Sequence, residues 1–182
     1  MKNKMKRFLL FLGLFLSGST LIHAQMVGVN TYLVGTSVEI GIDGTYGYEG
    51  LDVTTSPILP GMHFRSGGTN YFGFVANPQV NAWATYDGDF FTPGSPENGW
   101  GLEVGGVSGI VANNNCANAS FGVQDIPGAT TWHQTGTCVE ADYQGTMTTG
   151  GTNIGVHINY HLGTSDLYYT TTVSITSNTS AP

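Results

Sequence analysis

Basic side chains are almost missing from most of this chain. Lys2, Lys4, Lys6 and Arg7 precede the first apolar run, and Arg65 alone follows it. Against that single cation stand twelve acidic residues, a balance of −11 for residues 25–182. A surface of that sign repels phosphate backbones and anionic lipid headgroups, which excludes nucleic acid as a partner. Charge of either sign is scarce, at 9% of the 182 residues, while 12% are aromatic. Disordered chains couple low hydrophobicity to dense charge, so this composition excludes disorder and points to one folded domain. An amphipathic helix is also missing past residue 25, and with it the crossovers of a parallel α/β fold. No apolar run is long enough to span a bilayer, since Phe8–Leu16 has about half of the roughly 20 residues a spanning helix needs.

That short run belongs instead to a secretory leader over residues 1–24. A basic stretch from Lys2 to Arg7, the apolar stretch and a small, polar segment ending at Ala24 follow in the expected order. Cleavage there starts the exported chain at Gln25 and leaves no membrane insertion. The localisation expected is secreted or outer cell surface. Export places Cys116 and Cys138, the two cysteines, in an oxidising compartment where a disulfide persists. Pairing them closes a loop worth about 3 kcal/mol in the chain-entropy model. A thiolate zinc site lacks the two further ligands it needs, because no CxxC accompanies them.

Period-2 alternation recurs along the chain and predicts an all-β fold. Ile154, Val156, Ile158, Tyr160 and Leu162 alternate with polar residues and Gly over 153–162, the pattern of a strand with one buried face. Leu167, Tyr169, Thr171, Val173 and Ile175 form a second such run, and Gly163-Thr164-Ser165-Asp166 between them reads as the turn of an antiparallel hairpin. Val38, Ile40 and Ile42, and Val139, Ala141 and Tyr143, mark two more half-buried strands. Asp43-Gly44, Asp87-Gly88 and Asn98-Gly99 punctuate the runs with residues that tolerate the positive φ of tight turns. Many short strands with such turns predict an antiparallel β-sandwich of two packed sheets, with a barrel as the alternative. Residues 25–182 are enough to bury roughly two-thirds of their unfolded surface in one core. Gly41, Gly44, Gly47 and Gly50 recur every third residue, which reads as a flexible loop. A strand of strong β-propensity close to Pro182, with no later partner, predicts truncation at the C-terminus of a longer protein.

Several residue groups invite a chemical reading. His157 and His161, four apart on a strand, stand about 13 Å from each other, too far to share one ion, and read as two histidines on the polar face. Asp87 and Asp89, with acidic residues and Asn98 following in a Pro- and Gly-rich stretch, are the candidate ligands for calcium, which takes oxygen donors from such loops. Trp83, Trp100 and Trp132 are candidates for stacking on sugar rings, against the alternative that they pack in the core. Gly106-Val107-Ser108-Gly109-Ile110 lacks the second glycine of a nucleophile elbow, so no catalytic residue is assigned. Nothing in the spacing sets two carboxylates across a cleft, which places a glycosidase last.

The stretches Asp89-Phe90-Phe91-Thr92-Pro93-Gly94-Ser95-Pro96-Glu97-Asn98-Gly99-Trp100-Gly101-Leu102-Glu103-Val104-Gly105-Gly106 and Asp166-Leu167-Tyr168-Tyr169-Thr170-Thr171-Thr172-Val173-Ser174-Ile175-Thr176 resemble the N-terminal region of large secreted or surface proteins of Bacteroidetes. These proteins leave by type nine secretion and carry gliding-motility-associated and adhesin-like modules. Gln25-Met26-Val27-Gly28-Val29-Asn30 is similar in style. The resemblance is motif-like, covers most of residues 25–182 and carries over no catalytic residue. It implies a further strand, repeat domains and a C-terminal sorting domain beyond Pro182, hence other domains of the same parent chain as partners.

Together these readings predict a non-catalytic extracellular module acting as scaffold or adhesion unit, with an extracellular glycan or protein surface as partner. The alternative is a carbohydrate-binding module, calcium-stabilised, of an extracellular enzyme or adhesin.

Overall fold

The computed structural model describes residues 23–52, 71–76, 99–103, 110–114, 123–149 and 151–178. They contain strands and turns and no helix. In chain order the strands are β1 (His23–Val27), β2 (Asn30–Val34), β3 (Val38–Ile42), β4 (Leu51–Asp52), β5 (Tyr71–Phe72), β6 (Phe74–Ala76), β7 (Gly99–Glu103), β8 (Ile110–Asn114), β9 (Val123–Gln124), β10 (Gly128–Thr135), β11 (Cys138–Thr149), β12 (Thr152–Gly163) and β13 (Thr170–Ser177).

Two antiparallel four-stranded sheets, ordered β1-β2-β3-β6 and β10-β11-β12-β13, form the predicted sandwich. β1 and β2 lie against β10 and β11. One core fills the space between, with Leu33, Val38, Ile40 and Ile42 from the first sheet and Val139, Ala141, Tyr143, Ile154, Val156, Ile158, Tyr160 and Leu162 from the second. The alternation read over 153–162 and 139–143 is therefore the inner face of β12 and β11. Smaller sheets are β4-β5 and β7-β8-β9, and in the latter β8 and β9 run parallel.

β3 departs from the half-buried reading. All five of its residues are buried, because on the other face of the sheet Tyr32 of β2 and Val75 of β6 flank it and form a second cluster with Leu51 of β4. Glu39, expected on the solvent side, is fully buried there, opposite Val75 in register. Burial also pushes the Tyr32 phenol up to about 12.

The glycine-spaced segment after β3 is packed rather than flexible. Asp43 Oδ1 accepts from the backbone N–H of Thr45 and of Tyr46 at 2.8 Å each, an Asx turn. Gly44 N–H donates to Asn30 Oδ1 at 3.1 Å, and Thr130 Oγ1 donates to the Gly44 carbonyl at 3.1 Å. Tyr160 Oη closes the segment onto the second sheet by donating to the Gly47 carbonyl at 2.9 Å. The turn is thereby pinned between both layers.

The last strand also begins later than predicted. Leu167 and Tyr168 are exposed and precede β13, which starts at Thr170. β13 pairs with β12 along its length, His161 to Thr170 through Ile154 to Ser177. Val173 and Ile175 share the inner face with Ile158 and Val156 but remain exposed, 54% and 53%, because the core ends at β12. The expected leader boundary at Ala24 falls inside β1, where Ala24 is buried and pairs with Leu33.

Candidate functional site

The same period that buries one face of the second sheet sends the other face to solvent. On β10 that face carries Thr131 and His133, on β11 Glu140 and Asp142, and on β12 His157, Asn159 and His161. Register then decides which of them meet. The β10–β11 hairpin turns at Gly136-Thr137, where Gly136 takes φ +58°, a left-handed conformation that favours glycine. The pairing it sets places His133 opposite Glu140 and Thr131 opposite Asp142. Across β11 the partners are His161 for Glu140 and Asn159 for Asp142. Two carboxylates are thus enclosed by three imidazoles and an amide.

His161 Nδ1 lies 2.7 Å from Glu140 Oε1, and His133 Nε2 lies 2.7 Å from Glu140 Oε2. His157 Nε2 lies 2.8 Å from Asp142 Oδ1, to which Asn159 Nδ2 also donates at 3.0 Å. His133 Nδ1 is 3.6 Å from Asp142 Oδ2. Each carboxylate therefore faces β12 with one oxygen and His133 with the other. Asp142 is the most sheltered member, its side chain 18% exposed, and His133 the most open at 51%. The hydrogen bond from His161, helped by the charges of His133 and His161, holds Glu140 below the usual carboxylate range against the opposing effect of desolvation. His133, Glu140 and Asp142 bring one ligand atom each to within 4.8 Å of one another.

The two histidines expected on the polar face are there, and they do not meet at one point. Each engages a different carboxylate of β11. The spacing places Glu140 and Asp142 on the polar side of a half-buried strand without assigning them a role, and does not single out His133. Their one signal was polar alternation on either side of Gly136-Thr137, symmetric about a hairpin turn, which needs the turn and the register before it singles out a cluster. The two carboxylates lie on the same face of one strand, two residues apart on β11, rather than on opposite walls of a cleft.

The other candidate residues are scattered. Trp100 is half-buried, its ring 6.2 Å from that of Tyr143 at 59° and its Nε1 donating to the Tyr46 carbonyl at 3.2 Å. It packs beside the core. Trp132 is 38% exposed and stands opposite Ala141, on the face of β10 away from the histidines. Trp83, Asp87, Asp89 and Cys116 lie outside the described residues. Cys138 opens β11, half-buried, with no disulfide partner among the described residues.

Comparison with protein-family models, with curated proteins and with solved structures found no match to this chain.

Proposed function

We propose that the chain is a non-catalytic extracellular β-sandwich module, a scaffold or adhesion unit of a secreted or surface protein, that meets its partner through the outer face of the β10–β13 sheet. The observation that carries this reading is the placement of its polar chemistry. The inner faces are filled by aromatic and aliphatic side chains, whereas His133, Glu140, Asp142, His157, Asn159 and His161 lie together on a flat solvent-facing surface. Charged and polar groups gathered on one face steer a partner and fix its orientation through electrostatic complementarity. The leader-like start of the chain and its resemblance to the front of Bacteroidetes surface proteins support export, with type nine secretion as the route. Cleavage after Ala24 leaves Gln25, Met26 and Val27 to hold β1 against Tyr32, Thr31 and Asn30. In that compartment Cys138 is open to pairing with Cys116, and a count of two free thiols in the native protein removes that bond from the reading.

The test is detection of the native protein with an antibody to residues 25–182. A species in the medium or on the cell surface that begins at Gln25 supports export. Retention inside the cell with residues 1–24 attached overturns it.

Glycan binding is a second reading, favoured by the open depression of about 680 Å³ at the end of the sheet, lined by Thr146, Thr148, Asn153, Thr176 and Asn178 among others. Hydroxyls and amides of this kind hydrogen-bond sugar hydroxyls; exposed Trp132, opposite Ala141 and outside this lining, is a separate aromatic face. Glycan-array binding that vanishes with Trp132→Ala or Asn153→Ala, folding intact, supports it; an array without a hit counts against it.

A further inference from the structure

We propose that His133, Glu140 and Asp142 bind one divalent transition-metal ion of the zinc class on the outer face of the second sheet. Three observations converge on this site. The first is the direction of the donors. Glu140 spends Oε1 on His161 and Asp142 spends Oδ1 on His157 and Asn159, while Oε2 and Oδ2 both turn to the His133 ring. Metal-binding carboxylates are commonly held in this way by outer hydrogen bonds that fix the ligating oxygen. His157, Asn159 and His161 are such an outer ring.

The second observation is charge. With the imidazoles neutral, the form in which they ligate a metal, the cluster carries −2 from Glu140 and Asp142, without the imidazole charges that act on Glu140 in the ion-free chain. No Lys or Arg is among the described residues, so a fixed ammonium or guanidinium does not offset this pair there. A bound divalent cation matches the deficit. The third is reach. A zinc-class ion sits about 2.0–2.2 Å from imidazole nitrogen and carboxylate oxygen, so tetrahedral ligand atoms stand roughly 3.3 Å apart. The three donors already lie within 4.8 Å of one another. His133 provides the remaining adjustment, because its half-exposed side chain sits three residues from the hairpin turn. One nitrogen and two oxygens, with water completing the shell, favour zinc, nickel or copper over calcium, which prefers six to eight oxygens.

Isothermal titration of EDTA-stripped, desalted protein with Zn²⁺ tests the site, with Co²⁺ as an optical probe of coordination and circular dichroism as a check on the fold. The expected result is one ion per chain, with Zn²⁺ bound more tightly than Ca²⁺. His133→Ala, Glu140→Gln and Asp142→Asn are each expected to weaken binding roughly tenfold or more, and His157→Ala and His161→Ala by about tenfold through lost support of the carboxylates. His133 is exposed, so its removal leaves folding intact even if a change in β11 does not. Absence of saturable Zn²⁺ binding by the unaltered protein overturns the proposal. So does Zn²⁺ binding unchanged in folded His133→Ala, or a preference for Ca²⁺.

Discussion

The ring of Tyr143 lies directly under Gly47, so closely that a Cβ at residue 47 would collide with its Cγ, Cδ1 and Cδ2. Gly47 is also at φ +65°, in the left-handed region. Two independent costs therefore fall on one substitution: left-handed backbone, about 1–2 kcal/mol, and overpacking against a core ring, about 1–3 kcal/mol. Gly47→Ala is expected to lower stability by roughly 3 kcal/mol in chemical denaturation. Gly136→Ala has the same sign of φ but open space around the new methyl, and should cost only about 1–2 kcal/mol. Equal losses in the two variants would show that the contact with Tyr143 does not matter.

Tyr169 Oη donates to Glu49 Oε1 at 3.0 Å, and Glu49 is only 9% exposed. Hydrogen bonds to charged acceptors contribute about 1.5–3 kcal/mol. Tyr169→Phe keeps the ring against Phe74 and Tyr160 and removes the donor alone. A stability loss in that range is expected, and Glu49→Gln in the Tyr169→Phe background should restore part of it by removing the buried charge. No recovery would place the loss elsewhere than on the carboxylate.

Among the described residues, Tyr32, Tyr160 and Tyr169 should resist alkaline titration. Burial raises the phenols of Tyr32, Tyr160 and Tyr169 above the usual value near 10, and the nearby Glu49 carboxylate adds to the rise for the last two. These groups stay protonated in the folded chain while the unfolded chain loses its protons, so their contribution is fully present below about pH 10 and falls as pH rises above it. Phenolate absorbance at 295 nm is expected to rise in two stages, the second coinciding with loss of far-ultraviolet β signal. A single stage, complete before unfolding, would contradict the burial of these three groups.

Two isoleucines on the same face of the second sheet should answer very differently to truncation. Ile158 is 2% exposed and central in the core, and Ile158→Ala is expected to cost about 2–5 kcal/mol. Ile175, on β13, is 53% exposed, and Ile175→Ala should stay within about 0.5 kcal/mol. Thermal melts of the two variants compare them directly. A comparable loss at residue 175 would mean that β13 is covered in solution.

The chain order of apolar and polar residues was sufficient to read the class of this fold. Alternation over 153–162 and 139–143 marked the inner faces of β12 and β11, since a strand's side chains alternate whatever it packs against. His157 and His161 were likewise legible as neighbours on one polar face. Sequence did not show that Glu39 is buried, because that depends on strand register, which sets Tyr32 and Val75 beside it on the same face, and on Leu51 from another sheet packing with them. Nor did it show that Gly41–Gly50 is packed, which depends on Tyr143 and Tyr160 arriving from about a hundred residues away. The histidine–carboxylate cluster lies on the same boundary. Alternation placed Glu140, Asp142, His157 and His161 on the polar faces of their strands, but only strand register placed them side by side and brought His133 to them, because local spacing fixes the face of a strand and pairing fixes its neighbours.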